Sequence, residues 1–112
     1  MSLTLLLRCQ NLEDTRAFYS AVLGFVVRGS AESTLTAEKH GGTLIFTAQD
    51  LWQAAPVFTG TIYFTVPDVD GEYASLKGRA PMAWPLQDMP YGAREFGVTD
   101  CNGYTLAFQQ QA

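Results

Sequence analysis

Apolar and polar positions along the chain trace one pattern twice. Residues 3–9 form a short aliphatic run that reads as a strand. Asn11 then offers a helix N-cap, with Asp14 three residues on in the capping-box position. Thr15, Phe18, Tyr19, Val22 and Leu23 recur at helical spacing and predict one amphipathic helix, closed by Gly24. Residues 25–28, 33–37 and 43–47 read as three more strands, the last entered through the turn His40-Gly41-Gly42. Residues 50–60, with Trp52 and Pro56, read as a connector.

The pattern then restarts. Residues 61–66 alternate strictly, as a half-buried strand does, and Pro67-Asp68 ends that strand and caps a helix running to Lys77 and Gly78. Residues 82–87, 94–99 and 104–109 are the remaining strands, with Asp100-Cys101-Asn102-Gly103 as the last hairpin turn. Thr4-Leu5-Leu6-Leu7 matches Thr61-Ile62-Tyr63-Phe64, Asn11-Leu12-Glu13 matches Asp68-Val69-Asp70, and Thr43-Leu44-Ile45-Phe46 matches Thr105-Leu106-Ala107-Phe108. Three matches in register point to an internal duplication. The fold class expected is α+β: two βαβββ modules forming a curved mixed sheet, with a concave cleft on one face and helices on the outer face.

Alternation assigns the faces. Leu44, Phe46, Ile62, Phe64, Val66, Leu106 and Phe108 point toward the helices. Thr43, Ile45, Thr47, Thr61, Tyr63, Thr65, Thr105, Ala107 and Gln109 point the other way. Small hydroxyls and one aromatic read as the lining of a cleft.

The 112 residues suit a single domain over residues 1–112, with module one at about 3–49, the connector at 50–60 and module two at about 61–110. With 47% hydrophobic and 16% charged residues, the composition is that of a folded globular chain. No apolar run reaches the ~20 residues a membrane span needs. The opening stretch Met1 to Leu7 lacks a basic start and a small-residue cleavage site, so a cytoplasmic protein is expected. Net charge is -4 and the seven Lys and Arg are scattered, which speaks against a nucleic-acid partner and favours a cationic small molecule. Cys9 and Cys101, far apart and outside any CxxC pattern, read as two reduced thiols.

The stretch Asn11-Leu12-Glu13-Asp14-Thr15-Arg16-Ala17-Phe18-Tyr19, followed by Leu23-Gly24-Phe25, resembles the first-module signature of the vicinal oxygen chelate superfamily. That group comprises glyoxalases, extradiol dioxygenases and bleomycin-resistance proteins. Tyr91-Gly92-Ala93-Arg94-Glu95-Phe96 through Asp100-Cys101-Asn102-Gly103-Tyr104 resembles its closing hairpin, where a proline and an acidic residue usually replace Cys101 and Asn102. The resemblance implies a divalent-metal site at four positions, which fall here on Thr4, Ile45, Thr61 and Ala107. None of these is a useful ligand for zinc, iron or manganese, so no metal or other cofactor is expected.

Nor do the residues offer a catalytic set. His40, the one histidine, lies in a turn, and Cys101 sits beside Asp100, which raises a thiol pKa. No Ser-His-Asp set and no phosphate-cradling loop is present. The resemblance is then closest to the metal-free, bleomycin-resistance-like branch, whose members are dimers that hold a drug in their grooves. Tyr63 and Gln109, and with them Trp52, Trp84, Tyr91 and Thr47, are the candidate ligand-binding residues. Two other readings stay open: a lyase or dioxygenase-like enzyme with an atypical site, and a dimeric interaction module without ligand.

Overall fold

The structure, a computed structural model, describes residues 3–29 and 33–112. Met1 and Ser2 of the opening stretch lie outside the described residues. Two compact units emerge: one runs through Phe58 and takes in Cys101–Gly103, and the other holds Thr59–Asp100 and Tyr104–Ala112.

In the first unit, β1 (Thr4–Arg8) is followed by α1 (Leu12–Ala17), a π-helical turn (Phe18–Val22), β2 (Val26–Gly29), β3 (Thr34–Lys39) and β4 (Gly42–Thr47). The strand order is β1-β4-β3-β2, with β1 parallel to β4 and the other pairs antiparallel. The second unit repeats this with β5 (Thr61–Val66), α2 (Val69–Leu76), β6 (Met82–Asp88), β7 (Arg94–Thr99) and β8 (Thr105–Gln110), in the order β5-β8-β7-β6. The two βαβββ modules are therefore present, each with its own four-stranded hydrogen-bonded ladder. Among the described residues the strands form two four-stranded sheets rather than the one curved sheet expected.

The first helix departs from the continuous α-helix its spacing predicts. Asn11 caps it, its Oδ1 accepting from the Asp14 N–H at 2.9 Å. Beyond Ala17 the turns widen, and the Leu23 N–H donates to the Phe18 carbonyl five residues back at 3.0 Å. In a helix of 3.6 residues per turn, an i, i+4 row drifts by about 40° per step. The wider turn opposes that drift and holds Thr15, Tyr19 and Leu23 fully buried on one line. Gly24 ends the helix at φ 75°, where the Phe25 N–H closes back on the Tyr19 carbonyl at 2.8 Å. Lys39 of β3 donates to the Leu23 carbonyl, placing a cation at the helix C-terminus.

Alternation decides the cores. Tyr19 packs on Phe25 and Phe46, with ring centroids 5.0 and 4.9 Å away. In the second unit Phe108 stacks between Phe64 and Phe96 at 5.6 and 5.3 Å, and Tyr73 of α2 meets Phe96 edge-on at 5.1 Å. The N-terminus of α2 is capped by Asp68, whose Oδ1 accepts from the Gly71 N–H at 3.2 Å. Gln110 accepts from the Val69 N–H at 2.9 Å, so the last strand holds the helix start in place.

The residues assigned to the helix-facing side are all buried. On the opposite side Tyr63 and Thr65 are exposed, whereas Thr47 and Ala107 are buried. The Thr47 Oγ1 accepts from the Gln49 N–H at 3.1 Å, and Ala107 is paired to Tyr63 on one strand and Gly97 on the other. Cys9 is buried and Cys101 exposed, and no disulfide joins them. No helix among the described residues is long and apolar enough to cross a membrane.

The β3–β4 hairpin is tighter than expected: Lys39 pairs with Gly42, leaving His40-Gly41 as a two-residue loop. Both loop residues have positive φ, 50° and 80°, as a type I′ turn requires. Gly41→Val forces a β-branched residue into the left-handed region and is expected to lower stability by about 1–2 kcal/mol. Denaturant unfolding checks this, and an unchanged midpoint would show that the turn takes another form in solution.

Candidate functional site

The candidate site lies on the second sheet, on the face turned away from α2. Register sets its members side by side. Tyr63 pairs with Ala107 and Thr65 with Gln109 across β5 and β8, while Gln109 pairs with Glu95 and Ala107 with Gly97 across β8 and β7. On the outer side of β7, Trp84 pairs with Gly97. The face thus carries Tyr63, Gln109, Glu95 and Trp84 in neighbouring positions, and the turn before β7 adds Tyr91.

Glu95 is the centre of this group. Its side chain is fully buried. Oε1 accepts from the Tyr91 hydroxyl at 2.7 Å and from the Gln109 amide at 3.3 Å. Oε2 is buried and has no hydrogen-bond partner among the described residues. A buried, unmatched carboxylate oxygen is costly, because the solvation it loses is not replaced.

Tyr91 is 61% exposed and sits in a turn closed by the Gly92 N–H on the Met89 carbonyl at 2.9 Å. Its hydrogen bond to Glu95, together with burial of the hydroxyl and the nearby Tyr63, holds the phenol well above the ordinary tyrosine range. Tyr63 is 51% exposed. Tyr91 and Gln109, the two residues that hold Glu95, also line an open hollow of about 470 Å³, with Gly92, Ala93 and Arg94 beside them.

Trp84 lies flat on Gly97, where a Cβ would come within 2.7 Å of three atoms of the indole ring. Glycine at 97 therefore makes the ring's seat. β6 is an edge strand with register shifts on both sides of Trp84, and these accommodate Pro85, which has no N–H to give a ladder. The Trp84 Nε1 is buried without a partner among the described residues, so the same face holds an unmatched donor as well as an unmatched acceptor.

Arg94 points to the other side of β7. It donates to Asp70 at 2.8 Å and to Asp88 at 3.2 Å. The Arg94 guanidinium holds the Asp70 carboxyl below the usual carboxylate range. The stability this contributes is present at neutral pH and fades as pH falls through that lowered value, and an exposed pair contributes little of it.

Four of the expected ligand-binding residues, Tyr63, Trp84, Tyr91 and Gln109, are thus gathered on one face. Trp52 and Thr47 belong to the first unit, Trp52 48% exposed on the connector and Thr47 buried. His40 sits at the tip of the β3–β4 turn. The residue that sequence reasoning passed over is Glu95. A single acidic residue between Arg94 and Phe96, with odd-numbered neighbours on the open face, was the available signal, but it reads equally as one exposed charge.

A family profile described as Glyoxalase/Bleomycin resistance protein/Dioxygenase superfamily matches residues 3–108, and the chain belongs to that superfamily. A superfamily member from Sphaerobacter thermophilus DSM 20745 has the same fold, with a TM-score of 0.82 at 18% identity over 99% of this chain and 97% of that one. TioX from Micromonospora sp. ML1 is similar at a TM-score of 0.80 and 20% identity, covering 100% of this chain and 99% of its own. A lactoylglutathione lyase from Agrobacterium tumefaciens reaches 0.77 at 16% identity, over 98% of this chain and 92% of that one. A search of curated proteins finds no match.

The family's metal positions can be tested on this chain's donors. Ile45 and Ala107 have no donor atom, and Thr4 and Thr61 offer only neutral hydroxyls. These four side chains do not fit a divalent cation. Among the described residues, no three His, Cys, Asp or Glu side chains gather elsewhere in a way that could hold one.

Two outcomes follow from the geometry. The Tyr91 phenol, raised by its bond to Glu95, stabilises the fold below the ordinary tyrosine pKa, and this contribution is lost as pH rises through the raised value. Near-ultraviolet phenolate absorbance should show one exposed tyrosine titrating late, and Glu95→Gln should bring it back toward the ordinary range. Gly97→Ala should displace the Trp84 ring, shift its fluorescence and cost about 1–3 kcal/mol by overpacking; an unchanged spectrum would mean that the ring does not lie on the strand.

Proposed function

We propose that the protein is a metal-free binder of small molecules that are aromatic and cationic, of the kind that sequesters an antibiotic, acting as a cytoplasmic homodimer. The observation that carries this reading is the face of the second sheet on which Tyr91 and Gln109 hold the buried Glu95 carboxyl and which also carries Tyr63 and Trp84. Aromatic rings supply flat apolar area for a planar ligand, and the amide and hydroxyls supply orientation. The overall charge of -4 favours the approach of a cation. Support for sequestration rather than turnover comes from the donor-poor metal positions and from a family that includes bleomycin-resistance proteins.

Bleomycin, metal-free and copper-loaded, is the first ligand to titrate. Trp52 and Trp84 are the two tryptophans, and their fluorescence reports the binding. A saturable change at micromolar or tighter affinity is expected, weakened by about tenfold or more in Tyr63→Ala and Trp84→Ala, as truncating an aromatic anchor costs about 1–3 kcal/mol. A particle of twice the 12.3 kDa chain mass is expected in sedimentation. No fluorescence change together with no calorimetric heat would remove bleomycin as the ligand.

A further inference from the structure

Glu95 is costlier than the fold requires. Its Oε1 is matched by Tyr91 and Gln109, at 2.7 and 3.3 Å, yet Oε2 is buried with no partner among the described residues. A glutamine in its place would keep the size and one carbonyl acceptor without burying a charge. The other buried carboxyl on this unit, Asp100, is used locally, its Oδ1 accepting from the Tyr104 N–H at 2.7 Å. Glu95 has no comparable use for its second oxygen.

We propose that Glu95 is the anchor for a cationic nitrogen, an amidinium or protonated amine carried on a flat aromatic ring, which donates to Oε2. This rests on the small-molecule reading above and names the group that the site selects. A cation supplies both the missing hydrogen bond and the missing countercharge, and charge-assisted hydrogen bonds are the strong ones. A neutral ligand supplies at most the first, and an anion is repelled.

Tyr91 and Gln109 connect the open hollow to the carboxyl, since both line the hollow and both hold Glu95 Oε1. Tyr91 rides on a turn rather than a strand, with Gly92 at φ 90° beside it, so its ring can swing without breaking the β7–β8 ladder. Arg94 also lines the hollow, but its guanidinium is occupied by Asp70 and Asp88, which offset its charge. Tyr63 and Trp84, on the same face, offer rings to the ligand's own.

Three ring-bearing probes separate the possibilities: benzamidine, its neutral isostere benzamide, and benzoate. Each is titrated into the full chain while the Trp84 indole and Gly92 amide resonances are followed by NMR. Benzamidine is expected to bind at least tenfold more tightly than benzamide, benzoate not at all, and Glu95→Gln to abolish the preference. Tyr91→Phe frees Oε1 without altering the charge and should tighten benzamidine severalfold, which keeps the test decisive if Glu95→Gln fails to fold. No preference for benzamidine, equal binding by Glu95→Gln, or no effect of Tyr91→Phe overturns the assignment. Bleomycin bound equally by the parent and Glu95→Gln, without benzamidine selectivity, leaves sequestration standing and removes the anchor. Benzamidine selectivity lost in Glu95→Gln, with no bleomycin bound, upholds the anchor and removes the antibiotic.

Discussion

Each module depends on the parallel pairing of its first strand with its last, Thr4–Arg8 on Gly42–Thr47 and Thr61–Val66 on Thr105–Gln110. Parallel neighbours cannot be joined by a tight turn, so the chain must leave the first strand, cross as a helix and return through antiparallel strands. That crossing lays the helix on one face only. The pairing then fixes which side chains meet: Phe64 falls opposite Phe108 and Tyr63 opposite Ala107. A slip of one residue would turn the aromatic stack of Phe64, Phe108 and Phe96 out to solvent and put Tyr63, Gln109 and Glu95 into the core. The core and the candidate site are thus set by one register.

The two faces are held to different standards. On the helix side of the second sheet, rings stack within about 6 Å. On the other side the sheet buries a carboxyl and, among the described residues, leaves one of its oxygens and a neighbouring indole N–H unmatched. Stable folds tolerate few such groups, and those they keep tend to mark sites of function. Gly97 belongs to the same economy of space, since any side chain there would lift Trp84 off the strand. The superfamily's architecture is kept while its four metal positions carry hydroxyl or hydrocarbon side chains. The fold therefore leaves the choice of ligand to the site.

Much of the architecture was legible in the chain before any coordinates. The duplicated strand and helix motifs, the Asn11 and Asp68 caps and the strict alternation of residues 61–66 each rest on local chemistry, and each stands in the structure. Local reasoning failed where a backbone choice depended on distant packing. The turn at Phe18–Val22 widens because Thr15, Tyr19 and Leu23 must all reach the same core, a demand that helical spacing alone does not express. Thr47 is buried although alternation places it on the open face, and its hydroxyl accepts from the Gln49 N–H.

The sequence by itself determined which residues are apolar, how they recur and where the chain must turn, and these suffice for two βαβββ modules and for the superfamily. It also determined that Thr4, Ile45, Thr61 and Ala107 bring no imidazole, thiolate or carboxylate, since donor chemistry belongs to the side chain and not to its surroundings. Only the tertiary structure decided the state of Glu95. Burial, shared hydrogen bonds from Tyr91 and Gln109, and an unmatched Oε2 come from three segments that are far apart or merely adjacent in the chain. A glutamate in a strand reads as a solvated charge until register places Gln109 beside it and the turn brings Tyr91 over it, because hydrogen-bond partnership is a property of position in space.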